Sequence, residues 1–257
     1  MYTDTHLHLN KEYYDNIEVV ISEAQDNNVK RLIISSYDKK SIIEAIEIVN
    51  NHDNIYMTLG FHPEIANDVT KEDIEWLKLQ LKHQKCIGVG EIGLDYYWNK
   101  DNKEIQKKVF EEQLELAKEL TLPVVIHSRE AFSDTYEILK QHKVKGVIHC
   151  FGGQVENANR YIGLGHYLGI GGVVTFKNSK LSSVIKEVPI ENIILETDSP
   201  FLSPDPYRGS KNGPKNIPII AKKIAEIKGI DEQEIQTIIE NNIIKLYKID
   251  ILENMES

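Results

Sequence analysis

Short apolar runs alternate with longer stretches of helical periodicity along the whole chain. The runs at residues 3–8, 31–35, 55–60, 87–90, 124–126, 146–149, 167–170 and 193–196 read as eight strands. Short buried strands joined by helical segments are the pattern of a parallel sheet covered by helices. The clearest helix covers residues 101–120: Ile105, Val109, Leu116, Ala117 and Leu120 form one stripe, and Asp101 with Glu104 resembles a capping box. Ser41 with Glu44, and Thr70 with Asp73, repeat that start signal. After the eighth run comes a segment rich in Pro, Gly, Ser and Lys (residues 199–216). Two helical stretches divided by Gly229 follow, expected on the outside of the sheet.

Six potential metal ligands lie at or just past the ends of these runs: His6, His8, Glu91, His127, His149 and Asp198. Side chains alternate faces along a strand, so His6 and His8 point the same way and can grip one ion together. For six such residues to converge, the carboxyl ends of many sequential strands must meet at one place. That is the active-site face of a (β/α)8 TIM barrel. The chain's 257 residues match the roughly 250 of one such barrel, so a single domain over residues 1–257 is expected. Mixed imidazole and carboxylate donors suit zinc, manganese or iron, and a bridging carboxylate also tolerates magnesium. His52, His83, His142 and His166 sit in helix or turn contexts and read as ordinary polar residues.

No run approaches the ~20 apolar residues of a membrane span. The start of the chain shows no basic region followed by an apolar core, so a cytoplasmic protein is expected. Cys86 opens one strand and Cys150 follows another, too far apart for a disulfide, so both are expected as free thiols. Nothing in the sequence points to an obligate protein partner.

The motifs Asp4-Thr5-His6-Leu7-His8, Gly60-Phe61-His62-Pro63, Gly90-Glu91-Ile92-Gly93-Leu94-Asp95-Tyr96, His127-Ser128-Arg129, His149-Cys150-Phe151-Gly152-Gly153 and Glu196-Thr197-Asp198-Ser199-Pro200 resemble, in order and spacing, the TatD family of metal-dependent deoxyribonucleases. The likeness covers nearly the whole chain. Gly152 departs from it, standing where many members carry Ser. The resemblance implies an amidohydrolase-type hydrolase that cleaves DNA phosphodiesters with two divalent cations (Zn, Mg or Mn). His6, His8 and Asp198 would hold one ion and His127 and His149 the other, with Glu91 bridging the two. A hydroxide between the ions would attack, and Asp198 would accept the proton of the attacking water. His62 would bind phosphate or orient the leaving group. Asp4 and Glu196, each two residues before a ligand, either orient histidines or serve as buried hydrogen-bonding groups.

The substrate is less directly written. A net charge of −10 and a pI near 5.4 argue against tight binding to long duplexes. Arg129, Arg208, Lys211 and Lys215 are nevertheless expected around the mouth, with Tyr96, Tyr97 and Trp98 offering planes for an unpaired base. Single-stranded or frayed DNA ends therefore fit better than duplex, in line with the 3'-5' exonuclease activity that the resemblance suggests. An aminoacyl-tRNA deacylase, or another ester or amide hydrolase on the same scaffold, is the alternative. A metal-stabilised binding protein without turnover would be expected to lack a ligand, and all six are present.

Overall fold

The computed structural model describes residues 1–249. Eight strands, β1 (Tyr2–Leu7), β2 (Val29–Ser35), β3 (Ile55–Leu59), β4 (Cys86–Asp95), β5 (Val124–Arg129), β6 (Gly146–Ile148), β7 (Tyr167–Ile170) and β8 (Ile193–Leu195), pair in sequence order. Every ladder between consecutive strands is parallel. The sheet curls until β1 meets the end of β8. A bridge joins Leu7 to Ser199, His8 N–H donates to Ser199 O (2.8 Å), and Asp198 N–H donates to His6 O (2.9 Å). The expected (β/α)8 barrel is the fold.

Helices α1 (Ile17–Asp26), α2 (Lys39–Val49), α3 (Lys71–Gln80), α4 (Lys103–Leu120), α5 (Phe132–His142), α6 (Val155–Gly163) and α7 (Leu181–Glu187) return the chain between strands. Their apolar stripes, such as Ile42 and Ala45 of α2 or Leu114 and Ala117 of α4, are fully buried. Each large side chain buried this way contributes ~1.5–3 kcal/mol. Thr70 and Asp73 form the expected capping box of α3. Two other starts differ from expectation. In α2 the cap is Asp38, whose carboxylate accepts from Ser41 N–H, so Ser41 is the third residue of the helix. Helix α4 begins after Asn102 without a side-chain cap, because Asn102 is spent on Gln106, whose side chain also bonds Asp95 and Asn99.

Helices α8 (Ile217–Lys228) and α9 (Glu232–Tyr247) are divided by left-handed Gly229 and pack on the outer layer. Glu240 of α9 is buried and accepts from Thr3 N–H (2.7 Å) and Thr3 Oγ1 (2.8 Å), tying α9 to the start of β1. Cys86 and Cys150 are free thiols. Among the described residues no helix is long and apolar enough to cross a membrane.

Candidate metal centre

Strand β4 runs on to Asp95, five residues past the expected end, because its pairing with β5 slips between Val89 and Ile92. Such an irregularity re-aims a side chain, and here it accompanies the turn of Glu91 into the barrel. Gly93, at φ 144°, lies so close to β5 that a Cβ would meet His127 O, so only glycine fits. On β7, a Cβ at Gly169 would collide with Glu196 Oε2; the missing side chain is the space that Glu196 occupies.

Glu91 is the hub. Its Oε2 lies 3.4 Å from His6 Nε2 and 3.7 Å from His8 Nε2. Its Oε1 lies 2.8 Å from His127 Nδ1, 3.2 Å from His149 Nε2 and 3.6 Å from His62 Nε2. Asp198 Oδ1 completes the first half at 3.4 Å from His8 Nε2 and 3.7 Å from His6 Nε2. All six expected ligands, and His62, thus converge at one end of the barrel.

The outer nitrogens of three imidazoles face oxygens. His8 Nδ1 is 3.0 Å from Ser35 O, His127 Nε2 is 2.9 Å from Asp95 Oδ2, and His149 Nδ1 is 3.3 Å from Glu196 Oε1. The bonds at His8 and His127 fix the tautomer and would leave the inner nitrogen's lone pair toward the centre, whereas His149 Nδ1 makes no hydrogen bond. Asp95 was not singled out from the sequence, although its four-residue spacing from Glu91 was a usable signal. Glu196 lies beside His149 and accepts from the Cys150 N–H (2.5 Å), so the buried hydrogen-bonding use is the one its bonds show. Asp4 shows the same use: it accepts from the backbone N–H groups of His6 (3.2 Å) and Thr197 (3.0 Å), lacing β1 to β8. Burial pushes Asp4 up to about 7.

Does this donor set fit a divalent cation? His6 answers most directly, since both its ring nitrogens are buried and make no hydrogen bond. Donors ~2.1 Å from a tetrahedrally held ion stand ~3.4 Å apart, and the His6, His8, Asp198 and Glu91 separations of 3.4–3.7 Å match that span. His6, His8 and Asp198 form one group able to hold an ion, and His62, Glu91 and His127 another. His6 and His149 stack at 3.8 Å, and with Glu196 they make a third such group.

Electrostatics show what balances the centre without ions. Burial would raise Glu91, but His149, His62 and the bond from His127 hold it well below the usual carboxylate range. Burial opposes protonation of His127, yet bonds to Asp95 and Glu91 push it up to about 9. Burial likewise opposes His149, which Glu91 and Glu196 raise well above the usual range. Both shifts favour the charged imidazole beside Glu91, so a cation binding there would compete with a proton. His62 differs: burial, then His127, push it down to about 3, and its Nδ1 accepts from Glu64 N–H (3.3 Å). With Nδ1 accepting from Glu64, the proton of neutral His62 falls on Nε2, which makes His62 a donor toward the centre rather than a third ligand beside Glu91 and His127.

The mouth departs from expectation at Tyr96 and Lys215. Tyr96 is 6% exposed and donates to Asp134 (2.6 Å) under the Lys103 ammonium, so it offers no free plane; the chain turns inward there as β4 ends. Arg129 lies over Tyr97 (3.9 Å) and Trp98 (5.4 Å), joining its charge to the aromatic pair. Lys215 is drawn away to Glu23 of α1 (2.9 Å). Arg208 lies over Phe176 (4.1 Å) and Lys211 donates to Tyr13 O. Gly152 has open space, a Cβ meeting only Cys150 O at 3.9 Å, so a serine there would fit. A cavity of about 840 Å³ leads outward from His127, His149 and Asp198 past Arg129, Phe151 and Leu202. As expected, His52, His83 and His142 pair with Glu18, Asn50 and Glu115 away from the centre.

A parallel barrel with clustered imidazoles and carboxylates at its strand ends defines the class of metal-dependent hydrolases. The family model described as TatD related DNase matches residues 3–248, and the chain belongs to that family. It is 43% identical to the metal-dependent hydrolase YabD of Bacillus subtilis, over 97% of this chain and all of that one. The crystal structure of YjjV, a TatD homologue from Escherichia coli K12, superposes with a TM-score of 0.91 at 29% identity, covering 96% of this chain and 98% of that one. A TatD family hydrolase from Entamoeba histolytica gives 0.87 at 27% identity, covering 96% and 97%.

Proposed function

We propose that the protein hydrolyses phosphodiester bonds of unpaired DNA, using two divalent cations held about Glu91. The observation that carries this is the division of Glu91: Oε2 faces His6 and His8, and Oε1 faces His127 and His149. His6, His8 and Asp198 would hold one ion, and His127 and His149 the other. The cations would lower the pKa of a water to about 7 and offset phosphate charge. The chain's own groups do the rest. Asp198, held below the usual range against burial by His8 and His149, is ionised and takes the water's proton on its free oxygen. His62 Nε2–H donates to a phosphoryl or leaving oxygen. Arg129 and Arg208, which form no ion pair with a carboxylate among the described residues, receive flanking phosphates. Stepwise 3'-5' removal from single-stranded or frayed ends is the finer form of this reading. The buried and half-buried free thiols suit a reducing compartment such as the cytoplasm.

The test compares the metal-loaded protein on single-stranded DNA and on an aminoacyl ester. Degradation of DNA with the ester untouched is expected; the reverse assigns the site to ester hydrolysis. Glu91→Gln removes the shared charge, and elemental analysis should show one bound ion or fewer. Two retained ions would end the bridging assignment.

A further inference from the structure

Among the described residues the exposed aromatics are Tyr97, Trp98, Phe201 and Tyr207, and all lie on two loops, those following β4 and β8. In an eight-stranded barrel paired in sequence order, β4 and β8 stand on opposite sides of the mouth. Each loop is fastened to one half of the metal centre. Asp95 Oδ2 holds His127, and Asp95 Oδ1 accepts from the N–H groups of Tyr97 (2.9 Å) and Trp98 (3.0 Å). Across the mouth, Phe201 N–H donates to Asp198 O (2.9 Å), and the Phe201 ring lies 6.1 Å from that of His8. Trp98 is 64% exposed and Phe201 47%, a poor use of aromatic surface unless something flat covers it. A cation accompanies each: Arg129 beside Trp98, and Arg208 on the loop of Phe201.

We propose that an unpaired DNA strand lies across the mouth and is gripped on both sides of the scissile phosphate, one base stacking on Trp98 and another on Phe201. This rests on the phosphodiesterase reading above and adds its substrate footprint. The loop of Trp98 is tied through Asp95 to His127 and that of Phe201 to His8 and Asp198, so a strand spanning the two loops would pass across the centre. Arg129 and Arg208 then meet phosphates on either flank. Stacking suits any base, so the grip selects unpaired strands rather than a sequence.

Two small substrates separate the sides: thymidine 5'-(methyl phosphate) and thymidine 3'-(methyl phosphate), each with a nucleoside on one side only. Trp98→Ala should raise KM about tenfold for one isomer and Phe201→Ala for the other, while the dinucleotide suffers from both. Binding of a phosphorothioate oligothymidylate, followed by fluorescence anisotropy on the metal-loaded protein, should weaken in both variants but not in Leu79→Ala, an exposed apolar site on α3. Both variants acting on the same isomer, or either leaving oligonucleotide affinity unchanged, would overturn the two-sided grip. If the parent hydrolyses neither isomer nor the dinucleotide, the phosphodiesterase reading falls and takes the grip with it; turnover without variant effects removes the grip alone.

Discussion

His127 stands between two carboxylates, Glu91 at 2.8 Å on Nδ1 and Asp95 at 2.9 Å on Nε2. If His127 is a ligand as proposed, only one contact can survive metal binding, because an ion would need the Nδ1 lone pair while Asp95 keeps the Nε2 proton. Asp95→Asn should therefore lower metal affinity about 10- to 100-fold with the fold retained, as read by calorimetry and circular dichroism. Unchanged affinity would make Asp95 merely a brace for the Tyr97–Trp98 loop. A second expectation concerns protons. The folded-state value of His127, about 9, lies above the ordinary imidazole value, so the metal-free protein keeps that proton through neutrality and loses it only as pH rises through about 9. Ions compete with the proton, so apparent metal affinity should climb from pH 6 to about 9, with protons released on binding. A flat profile would mean that His127 is not a ligand. At this scale the sequence was most informative about ligands, since strand ends and alternation name His6, His8 and Glu91 directly. It was least informative about Tyr96, because alternation stops predicting direction where β4 turns into a loop.

At the level of elements, the eight strands were legible to within a few residues, because runs buried on both faces carry an uninterrupted apolar signal. The extra length of β4 was hidden by the register slip next to Glu91, which a linear pattern does not record. Helix starts depended on local competition. At α2, Ser41 reads as a cap, but Asp38 three residues earlier takes that position. Helix α9 shows how a terminal element is secured: the buried Glu240 carboxylate accepts two bonds from Thr3 and lies 3.4 Å from Arg31. Glu240→Ala strands the Thr3 amide in the interior and should cost roughly 2–4 kcal/mol in urea unfolding, with Glu240→Gln much milder. Equal stability of parent and Ala variant would show that packing alone holds α9.

The barrel as a whole closes at a seam with, among the described residues, a single residue bridge, where β1 meets the end of β8, while each ladder pairs two to five residues. His6 and His8 stand on one side of that seam and Asp198 on the other, so an ion held by all three would bind the edges together. Chelation should then lower the melting temperature and speed amide exchange at His8 and Asp198 more than within β2–β3. Uniform exchange across the barrel would place the ions elsewhere.

The same seam orders events in time. The first half of the centre takes its imidazoles from the opening residues of the chain and its carboxylate from Asp198, with seven strands and their helices in between. A ribosome that has delivered His6 and His8 has not yet made their third partner. With the proposed ligand set, no emerging fragment short of Asp198 could assemble that half, and a bound ion would report on completion of the barrel: a chain that misplaces its last strand would forfeit that ion, and the proposed activity with it.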